Sequence, residues 1–481
     1  MVSLNLEENI KKAHSVLPIG KSYDILEKRY MVGGKKACFY FIDGFVKGGV
    51  MERIMDFLYG IDEMQMASYK NAQDFIDHQF PYVEVETTDK FDDAIFQLLS
   101  GKSILFIDGY NEIIFIDLRS YPTRSTEEPE KEKTLRGSKD GFVEAVVTNT
   151  SLVRRRIRDP KLIFEIKELG DRSKIDVAIG YMEDMVDKKL LDEIREKIDN
   201  LKLRSITMGQ EGLVEAIIRT SKFNPFPKIR YTERPDVAAA SVLEGKIIIF
   251  VDNSPVAIML PNTIFDFVQA AEDFYFPPII GGYLRIIRNI FFVASFLLIP
   301  LWLFFMNNEW AIPDWLSVIK IADKNNVPLI WQILILEFAI DGLKVASINT
   351  PDSLSGSFSI IGALLLGEFA VKTGWFVPDC ILYMSVVALA NFAQPSLELG
   401  YAFKFMRIIT TVLTQLFDLY GLIAGVIITL IILCSTKTIN KKGYLYPLIP
   451  FDKHDFIMTI VRKRIQLKNG DVKKPWTTKS K

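Results

Sequence analysis

Isolated charged residues inside long apolar stretches are the residues of this sequence whose chemistry stands out. Glu337, Asp341 and Lys344 lie within the stretch Pro328–Ser347, and their helical spacing places them on one face. A charge at the depth of a bilayer costs about 2.5–3.5 kcal/mol on insertion scales, so it must face protein or water. The spacing indicates a helix that lies at the membrane interface or lines a bundle. We predict Glu337 and Asp341 as ion-path residues.

Further charges interrupt the apolar stretches that follow. Glu368 and Lys372 are four residues apart in the order that favours an ion pair on a helix, and Asp418 interrupts the last apolar stretch. We predict these three residues as further candidates for a pore or ion path, with Glu368 as the most deeply placed. Gly362 and Gly367 are predicted to let neighbouring helices pack closely, because small residues allow backbones to approach.

The residues that enzymes use are not arranged for catalysis in this sequence. Two Gly-Lys-Ser triplets occur at 20–22 and 101–103, but a phosphate-binding loop needs a glycine five residues earlier, where Ser15 and Phe96 stand. The three histidines are far apart and lack the spacing of metal ligands. A net charge of −1 gives no basic field for nucleic acid. We therefore predict no enzyme, no metal site, no cofactor and no nucleic-acid partner.

The apolar stretches themselves predict membrane-spanning helices. Asn289–Met306 carries no charge, and a bilayer core of about 30 Å needs roughly 20 helical residues. Arg285 and Arg288 precede it, and basic residues also follow the last stretch, which ends at Cys434. Because positive flanks favour the cytosolic side, both termini are predicted to be cytosolic, with four spans in a multi-pass protein. The last stretch, 408–434, could form one tilted helix or a helical hairpin.

The N-terminal half contains an internal repeat. Leu99–Asp108 and Leu243–Asp252 each combine a Gly-Lys turn with an apolar strand, and a second apolar strand follows both. A strand–helix pair supports the repeat, at 38–58 and again at 178–198. No signal peptide opens the chain, so this half is predicted to stay cytosolic. The pattern predicts two related α/β modules.

The predicted fold class is an α/β soluble N-terminal region of two related modules followed by an α-helical transmembrane bundle. The basic run Arg154–Arg156 either pairs with acidic residues, which we favour, or binds anionic lipid. The predicted domains are a first module at 1–122, a charged linker at 123–158, a second module at 159–284, a transmembrane domain at 285–436 and a basic cytosolic tail at 437–481.

The motifs that carry a family resemblance are Leu135–Glu144, Thr148–Thr150, Arg154–Arg156, Thr232–Asp236, Gly362–Gly374, Gly374–Pro378 and Asn391–Gly400. Together they resemble the GerA family of spore germination proteins. The resemblance extends over nearly the whole chain, and within the family the last two motifs indicate a sporulation-protein branch rather than the nutrient-receptor A subunits. Where Glu368 stands, the family often has an uncharged polar residue.

The family resemblance implies a protein of the spore inner membrane that takes part in germination. It also implies a homo-oligomeric ring that passes monovalent cations, alongside other spore membrane proteins in the lipid bilayer. We therefore expect an oligomeric cation-conducting channel subunit that contributes to ion release. The alternatives are a non-conducting nutrient-receptor or transporter subunit and a scaffold that anchors partner proteins. A transporter often repeats its membrane half, whereas the repeat here lies in the soluble half, which favours the channel.

Overall fold

A computed structural model describes most of the 481-residue chain. The described residues are 2–121, 132–201, 208–218, 223–321, 326–349, 370–439 and 443–460. They form two compact units, a first at 2–218 with 229–261 and a second at 223–228 with 262–460. The predicted domain boundaries stay a prediction.

The first unit holds two five-stranded sheets in which every paired neighbour is antiparallel. The first sheet has the strand order β1-β2-β4-β5-β3 and the second has the equivalent order β6-β7-β9-β10-β8. The strands are β1 (Ile25–Val32), β2 (Lys35–Ile42), β3 (Val85–Thr88), β4 (Ser103–Ile107), β5 (Ile113–Ile116), β6 (Leu162–Leu169), β7 (Ile175–Met182), β8 (Arg230–Thr232), β9 (Ile247–Val251) and β10 (Ala257–Leu260). The helices are α1 (Leu6–Val16), α2 (Gly48–Tyr59), α3 (Glu63–Ser68), α4 (Ala72–Gln79), α5 (Phe91–Leu99), α6 (Val146–Arg156), α7 (Lys188–Asp199), α8 (Gly209–Ile217) and α9 (Pro235–Leu243).

The shared strand order confirms the prediction of two related α/β modules. In each module a glycine with positive φ starts the turn into a buried central strand: Gly101 at 97° and Gly245 at 91°. A side chain would strain that conformation. Strands β4 and β9 are buried at every residue, which explains their continuous apolar runs. Helix α6 lies in the predicted linker, and its apolar residues pack with those of α9 in the core of the second module.

A buried ion pair joins the two modules of the first unit. Arg154 of α6 is fully buried, and its Nε lies 2.7 Å from Oδ2 of Asp24, which is also buried. Arg156 pairs with Asp140, while Arg155 lies over the ring of Tyr121. Two of the three arginines of the basic run therefore pair with acidic residues, the interpretation that we favoured.

The second unit is helical. The predicted span Asn289–Met306 lies inside one long helix, which begins with a proline at its first turn, a position where no intrahelical N–H bond is lost. The helices are α10 (Ile264–Val268), α11 (Glu272–Tyr275), α12 (Pro278–Asn307), α13 (Leu329–Asn349), α14 (Ala370–Lys372), α15 (Pro378–Phe392), α16 (Leu397–Ser435) and α17 (Lys453–Ile460), with short 3₁₀ turns at Glu309–Ala311 and Asp314–Ile319.

Helix α16 folds back on itself and so decides between the two alternatives for the last apolar stretch. Asp418 has non-helical φ and ψ of 49° and −127° and forms the reversal. Thr410 and Gly425 would lie roughly 22 Å apart along a straight helix. A Cβ placed on Gly425 would instead lie 2.6 Å from side-chain atoms of Thr410. The stretch is therefore a helical hairpin with arms at 397–417 and 419–435.

Contacts among the long helices fix their relative directions. Asn308, directly after α12, donates a hydrogen bond to Asp418 at the tip of the hairpin, so α12 and the first arm run parallel. Gln332, near the start of α13, accepts a hydrogen bond from the backbone N–H of Val377, directly before α15. Near its other end α13 places Lys344 over the ring of Phe392, so α13 and α15 also run parallel.

Candidate functional site

The candidate site is a network of charged side chains between α13 and the first arm of α16. Glu337 and Asp341 are one helical turn apart on α13, and Lys404 and Arg407 are three residues apart on the arm. Side chains at these spacings share one helix face. The two helices therefore turn a pair of carboxylates toward a pair of cations.

Glu337 and Arg407 form the most buried part of this network. Their side chains are 4% and 1% exposed, and two hydrogen bonds join them, Nε to Oε1 at 2.7 Å and NH2 to Oε2 at 2.9 Å. The NH1 group of Arg407 also donates to the carbonyl oxygen of Ser295 in α12. This two-pronged geometry suits a guanidinium with a carboxylate and is stronger than a single bond. The contacts of Arg407 therefore connect α12, α13 and α16.

Lys404 links this pair to Asp341. Its Nζ lies 2.9 Å from the carbonyl oxygen of Glu337, 3.2 Å from Oε2 of the same residue and 2.5 Å from Oδ2 of Asp341. The Lys404 side chain is only 6% exposed. Two carboxylates thus balance two cations, and a buried group of charges requires such pairing.

Asp341 is the member of the network that faces outward. Its side chain is 33% exposed, and Lys404 contacts only its Oδ2 oxygen. The other oxygen, Oδ1, is buried and has no hydrogen-bond partner in the part of the chain that the structure describes. A buried acceptor without a donor costs about 1–3 kcal/mol, so a further donor or cation at this oxygen would be favourable.

A third cation lies beside Asp341 without forming an ion pair of its own within the described ranges. The Nζ of Lys344 lies 4.8 Å from the ring centroid of Phe392 and 4.9 Å from that of Tyr401. Both distances are within the range of cation–π attraction. Helices α13, α15 and α16 each contribute one of these three side chains.

Polar residues continue along the first arm beyond the network. Thr411 and Thr414 follow Arg407 at spacings of four and three, and both are buried. Their hydroxyls donate to backbone carbonyl oxygens one turn earlier. The hydroxyls of these threonines are therefore satisfied within their own helix.

The structure brings together some of the sequence-predicted site residues and separates others. Glu337 and Asp341 lie in one network, whereas Asp418 lies apart at the hairpin tip and accepts the hydrogen bond from Asn308. Lys372 ends the short helix α14 and is exposed. Glu368, Gly362 and Gly367 lie outside the described residues. The roles predicted for all seven stay predictions.

Lys404 and Arg407 are the functional candidates that the sequence analysis missed. The predicted apolar stretch begins at Ile408, whereas α16 begins at Leu397. The sequence did contain a signal for them. Two cations three residues apart complement two carboxylates that are four residues apart in an earlier apolar stretch.

The chain matches one protein family over most of its length. The model of the family described as Bacillus/Clostridium GerA spore germination protein matches residues 14–473. The chain belongs to the GerA family. Two of its helices, Pro278–Asn307 and Leu397–Ser435, are long and apolar enough to cross a membrane by length and composition.

Individual relatives support the GerA assignment and the predicted branch. Stage V sporulation protein AF of Bacillus subtilis (strain 168) is 37% identical over 444 residues, which are 92% of this chain and 90% of that protein. Spore germination protein KA of the same organism is 28% identical over 458 residues, 94% of this chain and 83% of the relative. Spore germination protein A1, also from that organism, is 28% identical over 466 residues, 96% and 95% of the two chains.

A solved structure also matches part of the chain. It is the crystal structure of the N-terminal domain of the A subunit of the Bacillus megaterium spore germinant receptor GerK3. The match is 28% identical with a TM-score of 0.40, and it covers 54% of this chain and 95% of that one.

Proposed function

We propose that this GerA-family protein is a subunit of an oligomeric channel that passes monovalent cations across the spore inner membrane and contributes to ion release. One observation carries the proposal. Asp341 stands among apolar helices with a partly exposed side chain and one carboxylate oxygen without a described partner. An ionisable group at membrane depth is a functional candidate by default, and rings of carboxylates attract cations.

The proposed membrane placement follows from helix length and flanking charge. Helix α12 and the two arms of the α16 hairpin are apolar, and the arms measure roughly 30 Å and 25 Å at the helical rise. These lengths approach the thickness of a bilayer core. Arg288 at the start of the α12 span and Lys437 after the second arm would both face the cytosol. The hairpin tip at Asp418 would then face the opposite side.

A path between copies of the chain fits this placement better than a path through one copy. The innermost charges, Glu337 and Arg407, are neutralised within the chain and leave little space for an ion. The side chain of Asp341 is partly exposed on the outer face of the helices, where another subunit could lie against it. We further propose partners among other spore membrane proteins, because relatives along most of the chain are spore germination proteins.

The test is cation flux through the purified full-length protein in liposomes. We expect Asp341→Asn to lower the flux several-fold and Asp314→Asn, an exposed control in the short 3₁₀ turn, to leave it unchanged. Flux no greater than in empty liposomes would contradict conduction. Flux that is equal in wild type and Asp341→Asn would remove Asp341 from the ion path.

A non-conducting nutrient-receptor or transporter subunit remains the second candidate function. The internal neutrality of the Glu337–Arg407 pair favours it, because such pairs also serve to fix helix packing. Ligand-dependent stabilisation of the purified protein without any ion flux would support this candidate over the channel.

A further inference from the structure

The cation–aromatic cluster around Lys344 is distinct from the buried ion pairs behind it. Lys344 is one turn beyond Asp341 on α13, yet its ammonium lies over the rings of Phe392 and Tyr401 rather than against the carboxylate. Aromatic faces combined with a nearby carboxylate are a recognition chemistry for ammonium-type cations. The three helices therefore form a cation site that the chain fills with its own side chain.

We propose that Phe392, Tyr401 and Asp341 form a binding site for a free monovalent cation, and that the ammonium of Lys344 occupies this site as a tethered competitor. The free cation would contact the two ring faces and the unpartnered Oδ1 oxygen of Asp341. The binding site stands without the proposed channel. Only its effect on ion flux rests on the proposed function.

Charge and flexibility support an exchangeable occupant. Glu337 and Asp341 are already balanced by Arg407 and Lys404, so Lys344 adds one positive charge to a neutral network. A lysine side chain is a point charge on a flexible four-carbon stem, which allows its ammonium to leave without a change in the backbone. Lys344 is only partly buried, so a free cation has access.

In a conducting subunit the tethered ammonium would oppose permeation. It holds positive charge at the position where a permeating cation would meet Asp341. Removal of that charge would therefore raise both cation occupancy and cation flux. Replacement by arginine, which keeps a charge beside the rings, would leave both near the wild-type level.

The direct test is thermal unfolding of the full chain in detergent, with tetramethylammonium chloride compared with sodium chloride at equal ionic strength. A ligand that binds only the folded state stabilises it. We expect tetramethylammonium to raise the Tm of Lys344→Met by about 2 °C or more and to leave wild type and Lys344→Arg unchanged. Lys320→Met, at an exposed lysine, is the matched control and should respond like wild type.

Double variants assign the effect to the proposed site. Adding Asp341→Asn or Tyr401→Leu to Lys344→Met should abolish the stabilisation, while adding Tyr401→Phe, which keeps a ring, should preserve it. No stabilisation of Lys344→Met, or equal stabilisation of the wild type, would overturn the proposal. Stabilisation without ion flux in any variant would uphold the cation site and refute the proposed channel.

A second measurement keeps Lys344 in place in case its replacement prevents folding. Acylation of the Lys344 amine by a small reagent, followed by mass spectrometry, reports whether the ammonium is held. We expect Tyr401→Leu to speed acylation several-fold and Tyr401→Phe to leave its rate unchanged. Equal rates in wild type and both variants would contradict a held ammonium.

Discussion

The two arms of the α16 hairpin pack closely at Gly421, and this contact predicts a specific loss of stability. A Cβ added there would lie 1.8 Å from the backbone carbonyl oxygen of Leu413. Because a backbone atom cannot rotate away, the arms would have to separate. Overpacking costs about 1–3 kcal/mol, and the helix preference for alanine over glycine offsets roughly 1 kcal/mol of this. We expect Gly421→Ala to lower the free energy of unfolding by up to about 2 kcal/mol.

A matched variant separates packing from helix preference. Gly342 on α13 has no atom within 4 Å of its added Cβ, so Gly342→Ala should gain up to about 1 kcal/mol. The assay is unfolding of both variants in detergent, by denaturant or heat, beside wild type. The two variants should change the free energy of unfolding in opposite directions. A stabilising Gly421→Ala would refute the hairpin contact.

Three further predictions concern buried and partly buried charges. Glu337→Gln should destabilise the chain by about 3 kcal/mol or more in denaturant unfolding, because it leaves Arg407 buried without its counter-charge; a loss below about 1 kcal/mol would contradict the pairing. Arg154→Met should destabilise the chain by a similar amount, because Asp24 would stay buried without its counter-charge, and adding Asp24→Asn should recover part of the loss. An equal or larger loss in the double variant would contradict this ion pair. Burial alone would raise the pKa of Glu165, but hydrogen bonds from Arg195 and a tyrosine hydroxyl outweigh it and hold the pKa below its ordinary value. A carboxyl group whose pKa is lowered in the folded state stabilises that state at pH values above the unfolded pKa of about 4.3, and this stabilisation is lost as the pH falls toward the folded pKa. The fall in Tm from pH 6 to pH 3 should therefore be smaller in Arg195→Gln than in wild type; an equal fall would contradict this.

The sequence predicted the α/β unit well because its signals are local. Apolar runs such as Ile247–Val251 follow glycine turns at equivalent positions in both modules, and period and turn chemistry are set by neighbouring residues. Helix α6, which lies in the predicted linker, shows what local signals do not give. Its burial depends on the second sheet and on Asp24, which is far away in the sequence.

The candidate site was only half predictable. Glu337 and Asp341 drew attention because charges are costly in apolar stretches, but their partners Lys404 and Arg407 come from a helix whose start was misplaced. Pairing between α13 and α16 is a tertiary contact, and one sequence does not give it. The hairpin stayed undecided for a related reason, since an aspartate at a reversal and one within a tilted helix look alike in sequence.

The reversal potential of a planar bilayer that contains the purified chain, with potassium chloride more concentrated on one side, tests the proposed channel most directly. Cation conduction predicts a current that reverses near the potassium equilibrium potential, with a smaller current in Asp341→Asn. The absence of current, or reversal near the chloride potential, would contradict the account.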